Sequence, residues 1–514
     1  MEILKNSLSS KILLLISVLF LLLITLSTIN AAETNINSTD NLGQTIENAS
    51  NGDIINLEAG IYTNNVTNIL VNKSLTIQGK NPQTTIINAQ NLGRIFNITS
   101  TGTLTLINIT LINGNASDGG AIYNNNGKVT INYCIFENNT ASSSTNARGG
   151  AIYNIGSAGN LTINNSIFNN NNALIATANR QGGAIYNTNF MNINNSTFTK
   201  NTAASGAAIY NAKTSIINNS SFINNEASSH GGAIFNSQLN NILKISNSTF
   251  INNTAPTGGA IRSQNPGNTT VIGSSFINNT AGVGGAISTD NQANLNVSYS
   301  RFVNNTDNNN YTINARGTTT ILDYNWWGSN INPNQQINGT NVNNYFIMNV
   351  TNLTSLNSNG TVTFKYTFKL NDTTISFDSS LLPYFTTDVY TNITNGVIKS
   401  FDARYEKIFN ITVKQNNSIL YSFILDNEVQ TLEGNMTLPP EPPVPPIPPV
   451  PPVPPTPPVP PLPPNPTPEP NNNNNTKNIN NNSIANAAMK ETGMPVIAVI
   501  LVLLSCIGLL ARKQ

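Results

Sequence analysis

Charge is scarce in this 514-residue chain, and its scarcity excludes one class of partner. Asp, Glu, Lys and Arg together make up 9% of the residues, whereas about 25% is usual in globular proteins. The 24 basic and 23 acidic side chains leave a net charge of +1. Because binding to phosphates requires concentrated lysine and arginine, and no basic cluster occurs along the chain, we exclude nucleic acid as a partner.

Histidine and cysteine are almost absent. The chain has one histidine, His230, and two cysteines, Cys134 and Cys506. This set is too small for the usual zinc or haem sites, so we predict neither a metal nor a cofactor. Cys506 lies in an apolar segment that we predict to be in a membrane, and it therefore cannot pair with Cys134 of the same chain. The stability of the fold must come from a source other than disulfides.

The N-terminus has the pattern of a secretory signal. Lys5 and Lys11 precede an apolar run over residues 12–26, and the small residues Ala31 and Ala32 follow it. Positive charge, apolar stretch and small residues in that order predict a signal peptide over residues 1–32. An uncleaved anchor helix is the alternative, because the apolar run is near the upper length for a signal.

The C-terminus predicts attachment to a membrane. Residues 495–511 are almost wholly apolar, and Arg512-Lys513 follows at once. With its flanks this run reaches the roughly 20 residues that a transmembrane helix needs, and the basic residues keep the C-terminus inside. We therefore predict an anchor with a short basic tail over residues 491–514 and the bulk of the chain outside the cell. A processed cell-wall sorting signal at Thr492-Gly493 is the alternative.

Internal repetition dominates the region between these ends. A Gly-Gly-Ala-Ile-Tyr-Asn block recurs, with variations, at Gly119, Gly149, Gly182, Gly206, Gly231, Gly258 and Gly284. A second block alternates with it and is centred on Phe136, Phe168, Phe198, Phe222, Phe250, Phe276 and Phe302. Apolar residues alternate ahead of each phenylalanine, which is typical of β-strands.

This repetition predicts a parallel β-helix over residues 33–340. Glycine and asparagine pairs every dozen residues disfavour helices, and a propeller blade takes about 40 residues. The later glycine blocks are only 24 to 27 residues apart. A unit of that length with two or three short strands fits one coil of a solenoid, in which equivalent residues form columns about 4.8 Å apart.

The columns predict which side chains lie inside the solenoid, and the segments at either end of the repeats predict its caps. The phenylalanines and the isoleucine after each Gly-Gly-Ala are unchanged across seven coils, so both columns should be interior. The chain contains 96 asparagines, and we expect those at the turns to form hydrogen-bonded ladders between coils. Solenoids need capped ends. Leu42 and Ile46 predict an N-terminal capping helix, and Trp326-Trp327-Gly328 is predicted to close the far end.

Two further segments follow the repeats. Residues 341–435 lack the blocks but contain alternating runs such as residues 361–368, which predict a small immunoglobulin-like β-sandwich. A continuation of the solenoid is the rival interpretation. Residues 436–490 contain 21 of the 27 prolines and then an asparagine run, a composition that predicts a stiff polyproline II stalk with a flexible joint.

The repeats resemble known families. The Gly-Gly-Ala-Ile and Ser-x-Phe-x-Asn-Asn blocks are similar to the repeats of polymorphic outer-membrane proteins, and residues 53–111 resemble the entry coils of right-handed β-helix proteins. The whole plan, including residues 325–330 (Asn-Trp-Trp-Gly-Ser-Asn), resembles the adhesin-like surface proteins of methanogenic archaea. The resemblance implies an all-β chain with a right-handed parallel β-helix that is held at a cell surface.

One column supplies the candidate ligand-contact residues. Its first five members are Tyr123, Tyr153, Tyr186, Tyr210 and Phe235. Because Arg262 and Ser288 replace the aromatic ring in later coils, we predict that the column points outward and tolerates water. Such a stripe suits sugar rings or protein partners. The alternative is that the stacked rings simply shield one sheet.

The acidic residues of the coils are scattered, and this pattern argues against catalysis. Polysaccharide lyases and hydrolases with a β-helix need grouped carboxylates. Asp118 and Arg148 occupy neighbouring coils and should pair. His230 is three coils beyond Asp118, roughly 14 Å at the stacking rise, which is too far to share a proton. We therefore predict no catalytic residue.

These observations predict a cell-surface, adhesin-like protein that is not an enzyme. Its expected partners are glycans or proteins on the surfaces of other cells, together with the membrane that holds its C-terminal helix. Roughly thirty Asn-x-Ser/Thr sequons would permit glycosylation after export. A β-helix polysaccharide lyase or glycoside hydrolase is one alternative function, and a structural envelope spacer that binds nothing is another.

Overall fold

The computed structural model describes residues 31–174, 179–264, 266–290, 292–357, 359–413 and 418–434. The predicted signal peptide up to residue 30, the proline-rich stalk and the membrane anchor lie outside these ranges. Among the described residues, none of the helices is long and apolar enough to cross a membrane.

The first of the two folded parts is an all-β parallel solenoid of right-handed type with about 11 turns. Four parallel sheets form its sides, and we number them in the order in which each central coil visits them. The first sheet consists of Glu33–Ile36, Ile54–Leu57, Ser74–Gly79, Thr103–Ile107, Lys128–Asn132, Asn160–Asn164, Phe190–Asn194, Thr214–Asn218, Ile242–Ser246, Asn268–Ile272, Asn294–Ser298 and Thr319–Ile321. The second consists of Gly60–Tyr62, Thr85–Asn88, Thr110–Ile112, Ile135–Glu137, Ile167–Asn169, Thr197–Thr199, Ser221–Ile223, Thr249–Ile251, Ser275–Ile277 and Arg301–Val303.

The other two sheets carry the short strands on either side of each Gly-Gly pair. The third consists of Asn115–Ala116, Thr140–Ser142, Asn172–Leu174, Thr202–Ser205, Glu226–His230, Thr254–Thr257 and Thr280–Val283, with Asn146–Arg148 and Asn179–Gln181 at its side. The fourth consists of Ile69–Val71, Phe96–Ile98, Ile122–Asn125, Ile152–Ile155, Ile185–Asn187, Ile209–Asn211, Ile234–Asn236, Ile261–Ser263, Ile287–Thr289, Ile313–Asn314 and Ile337–Asn338.

The central coils therefore have four strands, although the sequence predicted two or three. The additional sheet is the third one, whose strands lack apolar alternation. In Thr140–Ser142, for example, only Ala141 is buried. The alanines at this position pack in small clusters of their own beside the main core. A single small apolar residue per strand gives too weak a period-two signal to be recognised from the sequence.

The phenylalanine column forms the centre of the core, as predicted. Strand register places Phe136 on Phe168 and Phe168 on Phe198. Centroids of neighbouring rings are 4.7–5.0 Å apart, with interplanar angles of 4–8°. Phe302, the last of the series, stacks on Trp327 at 4.7 Å. The repeated isoleucines of the fourth sheet are likewise buried, so the predicted interior columns and the cap at Trp327 are confirmed.

A ladder of buried asparagines runs beside the phenylalanines and confirms the predicted role of this residue. It consists of Asn139, Asn171, Asn201, Asn225, Asn253, Asn279 and Asn305. Each Nδ2 donates to Oδ1 of the next member at 2.8–3.1 Å. The same Oδ1 also accepts the backbone N–H of the preceding member. The turns between the second and third sheets are thereby joined without any charged group.

Asparagine also occupies the corners, where the backbone is left-handed. Asn170 and Asn224 have φ values of 52° and 53°, a region that asparagine tolerates better than most residues do. Gly149, the first glycine of its block, has a φ of 64°, and a Cβ there would lie 2.0 Å from the carbonyl oxygen of Ile152. The asparagine excess and the repeated glycine are thus consequences of a tight, repeated path.

The N-terminal end is covered by the predicted capping helix. The helix Leu42–Asn48 buries Leu42 and Ile46 completely. The side chain of Asn41 accepts the Gln44 N–H at 2.9 Å and so caps the start. Lys73 Nζ donates to the carbonyl oxygens of Glu47 and Ala49 near the end, at 2.8 and 2.7 Å, where a cation is favourable.

Residues 346–434 contain two antiparallel sheets over one apolar cluster. One sheet consists, in spatial order, of Phe346–Asn352, Thr361–Leu370 and Lys407–Thr412. The other consists of Lys399–Asp402, Thr386–Thr391, Ile419–Leu425 and Glu428–Gly434. In chain order these are strands 1-2-5 and 4-3-6-7. They differ from a constant-type immunoglobulin arrangement only in the sheet to which the fourth strand belongs. Two short 3₁₀ helices, Pro333–Gln336 and Ser379–Leu381, complete the described structure.

The solenoid and this sandwich share a buried junction. Trp326 is fully buried in the apolar cluster of the sandwich, next to Phe368 at 5.3 Å. Its indole Nε1 donates to Asp426 Oδ2 at 2.6 Å. Arg301 Nε donates to the same oxygen at 2.9 Å, and Arg301 Nη2 donates to Asp426 Oδ1. One aspartate of the sandwich therefore holds two side chains of the last coils.

Candidate functional site

The predicted aromatic stripe forms a continuous column on the fourth sheet. Strand register stacks Tyr123, Tyr153, Tyr186, Tyr210 and Phe235 in successive coils. Neighbouring ring centroids are 4.8–5.3 Å apart. The rings form a cluster separate from the main core, so these side chains do lie on the outer side of the sheet.

The prediction that this column is open to water was wrong. Tyr153, Tyr186, Tyr210 and Phe235 are only 2–8% exposed, and Tyr123 alone is half-buried. Neighbouring rings cover one another, and side chains that precede the Gly-Gly pairs, such as Arg148 and His230, pack against them as well. The guanidinium of Arg148 lies 4.7 Å from the Tyr153 ring and 5.6 Å from the Tyr186 ring. These contacts support the alternative reading, in which the rings shield the sheet.

Asp118 and Arg148 pair across neighbouring coils, as the sequence predicted. Arg148 Nε donates to Asp118 Oδ1 at 2.9 Å, and Nη2 donates to Oδ2 at 3.0 Å. Burial disfavours the charged guanidinium, but its hydrogen bonds with Asp118 outweigh that effect and raise the pKa of Arg148. The fork geometry fixes the guanidinium over the tyrosines.

The buried tyrosines should ionise late. Burial raises the pKa of Tyr186 to about 12, whereas an unfolded tyrosine ionises near pH 10. Because the folded pKa is the higher one, the stability contributed by this residue is present below about pH 10 and is lost as the pH rises towards 12. A spectrophotometric titration of wild type and Tyr186→Phe measures this directly. The difference curve should have its midpoint well above pH 10, and a midpoint near 10 would contradict the burial.

His230 lies at the end of the aromatic column. Its ring stacks on Phe235 at 5.2 Å, and its Nδ1 is 2.7 Å from Ser229 Oγ. Burial, and after it the charge of Arg262, lower the pKa of His230. The contacts with Phe235 and Ser229 fix the orientation of the His230 ring against the aromatic column.

Several carboxylates of the coils have structural partners. Asp307 accepts backbone N–H groups from Gly284, Asn309 and Tyr311 at 2.7–2.9 Å. Asp323 accepts those of Asn343 and Asn344 at 2.9 and 3.1 Å. Among the described residues, no group of three His, Cys, Asp or Glu side chains could hold a metal ion.

An exposed aromatic cleft lies where the sandwich approaches the solenoid, and sequence reasoning missed it. Tyr384 is 66% exposed and Tyr405 is 43% exposed. The guanidinium of Arg404 lies between them, 5.6 and 5.2 Å from their ring centroids. It also forms a fork with Asp402, with Nε–Oδ1 at 2.9 Å and Nη2–Oδ2 at 2.6 Å. These hydrogen bonds raise the pKa of Arg404.

The cleft has a cavity volume of about 470 Å³. Its solenoid wall is a corner of the coils that includes Asn247, Thr249 and Ser275, and its sandwich wall includes Tyr384 and Arg404. The only sequence signal was two tyrosines just outside alternating strands. The walls of the cleft come from segments more than 100 residues apart, residues 247–275 and 380–404, and no local pattern predicts that they meet.

The solenoid matches one family model. The Chlamydia polymorphic membrane protein repeat matches residues 133–155, 195–212, 217–237, 247–264 and 273–290. No curated protein matches the chain.

Solved structures with a similar fold include enzymes. A PL6 family alginate lyase has 14% sequence identity and a TM-score of 0.31; the match covers 61% of this chain and 39% of that one. A mannuronic acid-specific family 6 polysaccharide lyase from human gut microbiota has 10% identity and a TM-score of 0.27, with 53% and 86% covered. The chain thus spans about two fifths of the length of the alginate lyase. The coils match the repeat of polymorphic membrane proteins, and we conclude that this is a parallel β-helix protein with repeats of that type.

Proposed function

We propose that this protein is a cell-surface, adhesin-like protein that presents its β-helix and sandwich to glycans or proteins of other cells. The match to polymorphic membrane protein repeats supports a place at the outer surface. The signal peptide over residues 1–32 and the anchor over residues 491–514 remain predictions from the sequence, and together they would hold the folded part outside the membrane.

The observation that carries the proposal is the exposed aromatic cleft. Tyr384 and Tyr405 are both exposed, and both rings lie beside the guanidinium of Arg404. Aromatic faces stack on the apolar side of sugar rings, and the Arg404–Asp402 fork offers donors and acceptors to hydroxyl groups. Tyrosine and arginine are also the side chains that most often dominate protein interfaces. The cleft therefore replaces the shielded column as the contact surface in our proposal.

Removing both tyrosines should weaken attachment. We expect the double variant Tyr384→Ala, Tyr405→Ala to bind target cells or array glycans about tenfold less tightly, the loss expected when aromatic contacts worth roughly 1.4 kcal/mol disappear. Tyr133→Asn is the matched control, because Tyr133 is 55% exposed on a solenoid corner whose next coils carry asparagine. If the double variant attaches as well as this control does, the cleft is not the contact surface.

We propose binding without catalysis. The pairing of Asp118 with Arg148 and the backbone contacts of Asp307 give these carboxylates structural roles. Incubating the full chain with acidic polysaccharides and calcium tests the alternative, since unsaturated or new reducing ends would indicate a lyase or hydrolase. A spacer that binds nothing would give no signal on a glycan or cell-binding array.

A further inference from the structure

The outward column of the fourth sheet changes character after Phe235. Strand register continues it through Arg262, Ser288 and Asn314. These three residues line a cavity of about 490 Å³, within the usual size range of small-ligand pockets. The rest of the lining includes Thr257, Val283, Thr289, Asp290, Gln292 and Arg316. Aromatic shielding thus gives way to a polar recess.

Arg262 is incompletely paired in this recess. Its Nη1 donates to Ser288 Oγ at 2.8 Å, while its Nε is buried and has no hydrogen-bond partner among the described residues. Burial lowers the pKa of Arg262, and the charge of Asp290 only partly opposes this effect. A buried donor without an acceptor destabilises the fold, and more so when the group is charged. A negative charge bound in the recess would offset part of the cost of burying the guanidinium.

The floor of the recess presents hydroxyl and amide groups at fixed positions. Ser288 is fully buried and Asn314 nearly so. Ser288 Oγ accepts from Arg262 and, at 3.4 Å, from Asn314 Nδ2. Asn314 Oδ1 in turn accepts from Asn338 Nδ2 at 2.8 Å. Because Ser288 Oγ already accepts two hydrogen bonds, the hydroxyl group of Ser288 can take part in a further bond only as a donor.

The charges around the recess favour an anion with hydroxyl groups. Arg262 and the exposed Arg316 contribute two positive charges, and Asp290 contributes one negative charge. Guanidinium groups bind carboxylates through paired hydrogen bonds. Asp290 and Gln292 add acceptors, which a simple inorganic anion does not need but a sugar hydroxyl does.

We infer that this recess binds a carboxylate-bearing sugar residue, whose carboxylate pairs with Arg262 and Arg316 and whose hydroxyl groups bond to the polar lining. The site is separate from the aromatic cleft on the sandwich, so it stands or falls independently of the proposed function of that cleft.

The test is a binding titration of the full chain with a uronic acid oligosaccharide, its neutral methyl ester and inorganic sulfate. We expect the uronate to bind and the ester to bind at least tenfold less tightly, because the ester lacks the charged acceptor for the two guanidinium groups. Arg262→Gln should weaken uronate binding by a similar factor, and added salt should weaken it in the wild type. Arg180→Gln is the matched control, because Arg180 lies in the third sheet and donates to Ser228 at 3.3 Å.

The titration has clear contradicting outcomes. Equal binding of ester and uronate, or an unchanged Arg262→Gln variant, would overturn the inference. Sulfate that binds as tightly as the uronate would overturn the assignment to a sugar. If Arg262→Gln does not fold, Arg316→Gln at the exposed rim takes its place: a tenfold loss of uronate binding would support the inference, and unchanged binding would overturn it. Tyr384→Ala should leave uronate binding intact, which separates this site from the cleft.

Discussion

Replacing Asn225 by alanine should lower the free energy of unfolding by roughly 2–6 kcal/mol, because at least two buried groups lose a partner at about 1–3 kcal/mol each. Asn225 Oδ1 accepts both the backbone N–H and the Nδ2 of Asn201. Its own Nδ2 donates to the carbonyl oxygen of Phe198 and to Asn253 Oδ1. The truncation removes all four bonds in a site that water does not reach. Urea unfolding followed by far-ultraviolet circular dichroism measures the loss.

A second, partly buried asparagine ladder on the first sheet, formed by Asn132, Asn164, Asn194 and Asn218, supplies the control. Asn194 Nδ2 donates to Asn164 Oδ1 at 2.9 Å, and its Oδ1 accepts from Asn218 at 3.0 Å. These groups are only partly buried, so water can replace the lost partner. Asn194→Ala should therefore cost about 1 kcal/mol or less. Equal losses for Asn194→Ala and Asn225→Ala would show that burial does not set the strength of the ladder.

Asp426→Asn should separate the unfolding of the sandwich from that of the solenoid. Asparagine keeps the shape of the side chain and tolerates the φ of 56° at this position. It leaves only one acceptor oxygen, however, where Asp426 accepts from both Arg301 and Trp326. Leaving the largely buried Arg301 without its counter-ion should cost about 3–5 kcal/mol. Calorimetry should then resolve a first transition, from the sandwich, below the main one.

An exposed ion pair is the comparison for this junction. Lys80 and Glu58 are 3.3 Å apart, with side chains 62% and 42% exposed. Glu58→Gln should change the stability by less than about 1 kcal/mol, because water screens such pairs. If Asp426→Asn has an effect as small as Glu58→Gln, the junction does not depend on its buried carboxylate.

The interior of the solenoid could be predicted from the sequence because the same residues recur in it. Phe136 and its successors, the isoleucines and the inner asparagines occupy equivalent places in every coil, so recurrence alone identifies contacts between residues 24 or more positions apart. The caps at Leu42 and Trp327 were also predictable, since both interrupt the repeat with large apolar residues. In this fold, a residue that recurs at the repeat spacing contacts its equivalents in the neighbouring coils.

What varies between coils could not be predicted in the same way. The burial of Tyr153 depends on Arg148, which belongs to the preceding corner and differs from coil to coil. The Tyr384–Arg404–Tyr405 cluster lies within the sandwich, where no block repeats, and the cleft beside it depends on how the sandwich meets the coils. The recess at Arg262 was visible only as a break in the aromatic column, because its cavity forms from the side chains of three coils.

The inner ladder makes the number of coils an adjustable quantity. Asn201, Asn225, Asn253 and Asn279 make the same bonds to the neighbours on each side. Excising one whole coil would bring a new pair of neighbours into an equivalent contact, and duplicating one would insert another of the same kind. Adding or removing one coil would therefore change the length of the solenoid by about 4.8 Å and leave the contacts of each inner asparagine the same in kind.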